Sequence, residues 1–172
     1  MFVKYIDDYK QIHKSKKYGT SGVAIVDRLV KTMGDDVESL LDYGAGQCEV
    51  AHFVRKLTGI QTTAYDPAVE WRSVRPRGKF DVVLCTDVLE HVPEEELKSV
   101  LEDIFQYTKN YAVLGINMTE AIEILPCGDN AHCTIKPKEW WFERISEVFP
   151  LVRELPYYQT KDKVAYQCYK DY

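Results

Sequence analysis

No apolar run in the sequence approaches the roughly 18 residues that a membrane-crossing helix needs, and residues 1–8 do not read as a signal peptide. There is no repeat, no low-complexity tract and no Pro/Gly/Ser linker, so a single domain over residues 1–172 is expected. Glycine (9) and proline (7) are too few for a collagen-like fibre, and 45% hydrophobic residues is too many for a disordered chain. The five cysteines never form a CxxC pair. Cys48 follows a glycine loop and Cys85 ends an apolar run, which suits reduced thiols and a cytoplasmic address. Cys127, His132 and Cys133 lack a fourth ligand at zinc-like spacing, so no metal is expected. Basic charge is in deficit, 22 Lys and Arg against 27 Asp and Glu. A net charge of −5 has the wrong sign for non-specific duplex binding and points to a small-molecule partner. No basic amphipathic helix with an aromatic face supports membrane attachment. Nothing addresses the oligomeric state.

What is there alternates strand-like apolar runs with helical periodicity. Ile25, Val26, Leu29, Val30 and Met33 recur at helical spacing, as do Val50, Phe53, Val54 and Leu57. Pro93 opens a helix with Glu94, Glu95 and Glu96 at its positive end and Leu97, Val100, Leu101, Ile104 and Phe105 as its buried stripe. Pro137 opens another, with Trp141, Ile145, Val148 and Phe149 on one face. Strands are expected around residues 40–42, 62–65, 81–85, 112–116, 152–155 and 164–168. This alternation predicts an α/β fold: a Rossmann-like, mostly parallel sheet with helices on both faces and an antiparallel last strand.

Ligands of such sheets sit beyond the carboxyl ends of the strands. Here those ends carry Gly44 and Gly46, Asp66, and the Cys85-Thr86-Asp87 turn. Asp66, 20 residues beyond Gly46, is placed to accept hydrogen bonds from ribose hydroxyls. Both NAD and S-adenosylmethionine share that geometry. A pyrophosphate binder wants a third small residue in GxGxxG, and that slot holds Glu49. Asp42 adds a second acid, which repels phosphate but suits an ammonium and a sulfonium. S-adenosylmethionine is therefore the preferred cofactor.

The segments Leu40-Leu41-Asp42-Tyr43-Gly44-Ala45-Gly46, Tyr65-Asp66-Pro67 and Phe80-Asp81-Val82-Val83-Leu84-Cys85-Thr86-Asp87-Val88-Leu89-Glu90-His91-Val92 together resemble class I S-adenosylmethionine-dependent methyltransferases. The stretch from Leu125 to Trp141 is similar to a compact bacterial and phage-type subgroup. The resemblance implies that Asp42, Gly44 and Gly46 line the methionine end and that Asp66 binds the ribose. It also implies that Pro67 and Ala68 flank the adenine, and that Thr86, Asp87 and Leu89 close the pocket near the sulfonium. There are two departures. The usual third glycine falls on Cys48, and only 15 residues separate Asp66 from Asp81 where the family fits a helix and another strand. One sheet edge is accordingly expected to be trimmed.

The expected reaction is methyl transfer to a small molecule, preferably a hydroxyl of a sugar, nucleotide or similar metabolite. The alternative is a module that binds S-adenosylmethionine or S-adenosylhomocysteine without turnover. A hydroxyl must lose its proton, and His91, His132 and Asp87 are the candidate bases. Asn130 and His132 in a polar loop, Trp140 as a stacking platform, and Tyr18 in a lysine-rich N-terminal segment are the candidate substrate contacts. Residues 1–21 are expected to act as a lid, as in related enzymes, and 117–140 as a substrate-side insertion.

Overall fold

The computed structural model describes residues 4–15, 30, 33, 36–47, 49–158 and 160–171. Six strands, β1 (Ser39–Tyr43), β2 (Gln61–Tyr65), β3 (Phe80–Thr86), β4 (Thr108–Asn117), β5 (Leu151–Glu154) and β6 (Lys163–Tyr169), form one sheet in the order β2-β1-β3-β4-β6-β5. The first four pair in parallel, while β6 runs antiparallel to both β4 and β5. The helices are α1 (Ile6–Ser15), α2 (Glu49–Thr58), α3 (Glu94–Tyr107) and α4 (Lys138–Ser146). The predicted helix around residues 25–33 lies mostly outside the described residues, as do Tyr18 and Cys48.

Alternation along the strands sorts the core into two layers. Leu40, Val82, Leu84, Val113 and Ala165 pack with Val50 and Val54 of α2. Their neighbours Leu41, Val83, Cys85, Leu114 and Tyr166 face α3, α4 and Tyr9 and Ile12 of α1. Each fully buried Val or Leu contributes roughly 1.5–3 kcal/mol.

The sheet edge beside Asp66 is trimmed as expected. Between β2 and β3 there is only the short 3₁₀ turn Glu70–Arg72, so β2 is an edge strand. Arg75 in this connection pairs with Asp103 of α3, which also accepts the Tyr43 hydroxyl at 2.8 Å. Asp81 secures the entry to β1. Its carboxylate accepts from the backbone of Glu38 and Ser39, from the Ser39 hydroxyl and from Lys109 Nζ, at 2.7–3.1 Å.

This topology sets the functional edge. The parallel strands deliver Gly44, Asp66, Asp87 and Met118 to one side, and antiparallel β6 starts there, with Lys163 opposite Asn117. Among the described residues no helix is long and apolar enough to cross a membrane.

Candidate functional site

The glycine loop leaves β1 with Gly44 at φ +77° and Gly46 at +49°. Both Gly44 N–H and Ala45 N–H donate to the Tyr65 carbonyl, at 2.8 and 3.0 Å, folding the loop across the end of β2. A Cβ on Gly44 would stand 2.4 Å from Val88 Cγ2, so the glycine admits the turn after β3. Asp66 completes the loop: Oδ2 accepts from Gly46 N–H and Oδ1 from Ala68 N–H, both at 2.8 Å. Each oxygen retains a second lone pair, which suits a pair of ribose hydroxyls as donors.

Asp42 is 4% exposed and accepts from Ala51 N–H (3.2 Å) in the first turn of α2, so it caps that helix from the neighbouring strand. Burial pushes its carboxyl up to about 7, opposed by the Ala51 amide and by Arg72 and reinforced by Asp66. A ligand cation beside it would favour the charged form. The loop, Asp66 and Asp42 together fit an adenosyl-amino-acid ligand.

Next to Asp66, Pro67, Ala68 and Trp71 line a cavity of about 510 Å³ with Lys10, His13 and Lys14 of α1. The His13 imidazole is pushed down by burial, against the pull of Asp66. Gln47 of the glycine loop donates to the His13 carbonyl at 3.5 Å, so α1 touches the loop as well.

A second group of residues gathers where β3 and β4 end. Asp87 adopts φ +53°, the only non-glycine residue with positive φ among those described. Its N–H donates to the Gly115 carbonyl (2.9 Å), and its Oδ1 accepts from Lys163 Nζ (3.2 Å). Thr86 packs against Gly115, where an added Cβ would lie 3.0 Å from its methyl. In the following 3₁₀ turn, Leu89–His91, Glu90 is wholly buried. Its Oε1 accepts from Asn117 N–H at 2.8 Å, while Oε2 has no hydrogen-bond partner among the described residues. Burial, with Asp87 nearby, pushes the Glu90 carboxyl up to about 8.

His91 and His132 meet edge to face, with ring centroids 4.7 Å apart. His91 Nδ1 lies 2.9 Å from the Ala131 carbonyl and 2.8 Å from the Tyr9 hydroxyl, which itself donates to that carbonyl. His132 Nδ1 contacts the Thr119 carbonyl at 2.5 Å. A carbonyl only accepts, so both Nδ1 atoms carry the proton and both Nε2 atoms carry a lone pair. Burial, and then His132, hold His91 down at about 4, so its ring is neutral at pH 7.

The structure thus brings together Asp42, Gly44, Gly46 and Asp66 at one end, and Thr86, Asp87, His91 and His132 at the other. Pro67 and Ala68 line the adjoining cavity. Three of the candidates have other surroundings in the structure. Leu89, expected against the cofactor, is completely enclosed because the 3₁₀ turn directs it into the core with α3. Asn130, expected on substrate, is engaged in its own loop. Its Oδ1 accepts from Ala121 and His132 N–H and its Nδ2 donates to the Ala121 carbonyl, at 2.9–3.0 Å. Trp140 is not brought to the histidines: Lys136 and Arg144 lie over its ring, and Trp141 meets it edge to face at 5.1 Å. Tyr9, Glu90 and Lys163 were missed. For Tyr9 a signal existed, since Tyr5, Tyr9 and Ile12 share the i, i+4, i+7 spacing of a helix face.

Solved structures share this fold at low identity. DhpI bound to S-adenosylhomocysteine superposes with a TM-score of 0.68 at 14% identity, over 95% of both chains. The N-terminal domain of EvdMO1, crystallised with S-adenosylhomocysteine and D-fucose, gives 0.62 at 11%, over 98% of this chain and 97% of that one. An O-methyltransferase family protein from Burkholderia thailandensis gives 0.62 at 11%, over 96% of this chain but 58% of its own. No curated protein matches the sequence. A family model described as a methyltransferase domain matches residues 17–154. With that match spanning most of its length, the chain belongs to the methyltransferase domain family.

Proposed function

We propose that the chain methylates a hydroxyl of a small molecule of the sugar or nucleotide class, using S-adenosylmethionine as methyl donor. The observation that carries this reading is the pair of histidines at the strand ends, each with Nδ1–H tied to a backbone carbonyl and a lone pair on Nε2. S-adenosylmethionine supplies an activated methyl on a sulfonium, so the protein has chiefly to orient and deprotonate the acceptor. Orientation of this kind is worth on the order of 7–11 kcal/mol in favourable intramolecular cases.

Asp66 and the Gly44–Gly46 turn bind the ribose and amino-acid portions. Pro67, Ala68 and Trp71 flank the adenine. His132 Nε2 takes the acceptor proton, because burial has suppressed the basicity of His91. His91 fixes the orientation of its neighbour, and Asp87, paired with Lys163, holds the start of β6 to the turn. The N-terminal segment covers the site: Tyr9 reaches His91, Tyr5 donates to Asp129, and Asp8 accepts from Cys127 N–H. Residues 117–140 supply the acceptor side. The sugar preference is supported by EvdMO1, whose similarly folded N-terminal domain was crystallised with D-fucose.

Calorimetric titration with S-adenosylhomocysteine tests the reading, using wild type and Asp66→Ala. Binding by the wild type that collapses in Asp66→Ala is expected, followed by turnover of a hydroxylated acceptor that is lost in His132→Ala. Failure of the wild type to bind the sulfur ligand would overturn it.

A further inference from the structure

We propose that Glu90, His91 and His132 form a binding site for a divalent transition cation such as Zn²⁺, Co²⁺ or Mn²⁺. The three side chains come from the turn after β3 and the loop after β4, and each is buried. One carboxylate oxygen and one ring nitrogen from each histidine lie within 4.8 Å of one another. Metal–nitrogen bonds of roughly 2.0–2.1 Å put tetrahedral donor atoms about 3.4 Å apart. Closing the cluster therefore takes side-chain movements of about an ångström.

Two further features point to a cation. Metal-binding histidines characteristically donate the other ring N–H to a carbonyl or carboxylate, which fixes the ring and its tautomer. Both histidines here do so, His91 to Ala131 and His132 to Thr119. The Tyr9 hydroxyl braces the same Ala131 carbonyl. Glu90, for its part, is anchored through one oxygen by Asn117 N–H, while the other is buried without a partner. Leaving a buried carboxylate oxygen unpaired is unfavourable, and a cation would satisfy it. Two imidazoles and one carboxylate select a borderline transition ion over Mg²⁺ or Ca²⁺, which prefer all-oxygen shells. Three protein ligands leave coordination positions open, as catalytic sites do.

The catalytic consequence rests on the methyl-transfer reading; the binding does not. With a cation bound, the His132 Nε2 lone pair would be engaged as a ligand and no longer act as the base; an acceptor hydroxyl coordinated there would instead lose its proton to solvent water more readily. As the oxygen–carbon bond forms, the carbon–sulfur bond breaks and its electron pair stays on sulfur.

The test uses the full chain, stripped with a chelator and titrated with Co²⁺ and Zn²⁺. Visible Co²⁺ absorption and calorimetry are read side by side with S-adenosylhomocysteine binding. One equivalent of cation is expected, weakened at least about 100-fold in Glu90→Gln and in His132→Asn and unchanged in His52→Asn, an exposed histidine on α2. Should Glu90→Gln fail to fold, His132→Asn alone decides. Absence of stoichiometric binding, or equal binding by wild type and both site variants, overturns the proposal. Retained S-adenosylhomocysteine binding in that case leaves the methyl-transfer reading standing, whereas loss of the sulfur ligand with intact cation binding would do the reverse.

Discussion

Replacing Asp42 by asparagine separates what this residue does for the ligand from what it does to the apoprotein. Burial raises its carboxyl pKa from 3.8 to about 7. Between those values the folded chain holds a proton that the unfolded chain has released, so stability falls as pH rises through the window. Each unit corresponds to 1.36 kcal/mol, so ionised Asp42 costs the apoprotein about 4 kcal/mol well above pH 7. About 2–3 kcal/mol of that accrues between about pH 5 and about pH 8. Asp42→Asn retains an oxygen for Ala51 N–H and carries no charge. Urea unfolding of both forms across that range should show the variant gaining on the wild type by this amount, while its calorimetric affinity for S-adenosylmethionine drops roughly tenfold or more. A stability difference that stays constant to within about 0.5 kcal/mol over the range would refute the reasoning, since no buried ionisation would then be at work.

Gly44→Ala forces a positive φ on alanine and drives Cβ into Val88, at an expected cost of about 3 kcal/mol by urea unfolding. Adding Val88→Ala should recover the steric part and leave the backbone part. Asp81 behaves oppositely to Asp42. Burial disfavours its charge, but donors from Lys109, Ser39 and the Glu38 backbone outweigh that and hold it at about 2. Its stabilisation of about 2 kcal/mol is present above pH 3.8 and lost as pH falls through about 2. Asp81→Asn should therefore be less stable at pH 7 and converge with the wild type in acid denaturation.

β3 and β4 were legible because buried parallel strands are continuous apolar runs, and all six strands occur within a few residues of their expected positions. The place of Asp66 was legible because it directly follows the second strand-like run, and the structure sets it at the end of β2. The trimmed edge followed from setting the 15 residues between Asp66 and Asp81 against the helix and strand that the resembled family fits there. The partners of the catalytic candidates were not legible. Asn130 sits beside His132 in sequence, which suggested a shared ligand, yet a polar loop must satisfy its own backbone first, and the Asn130 amide does that. The burial of Glu90 shows only in the structure, where its carboxylate accepts from Asn117 N–H at the end of β4. The link from Tyr9 to His91 spans 82 positions, and no local spacing encodes it.

Losing the outer helix and strand has a consequence for timing. Asp66 closes a five-residue strand that has a neighbour on one side only, where exchange with solvent is ordinarily fastest. The contacts from Gly46, Ala68 and the Arg72 carbonyl supply the lateral support that a missing neighbour would have given. On the proposed reading, a ribose held by Asp66 would add to that support, so that loading the ligand and stiffening the margin of the sheet would be one event.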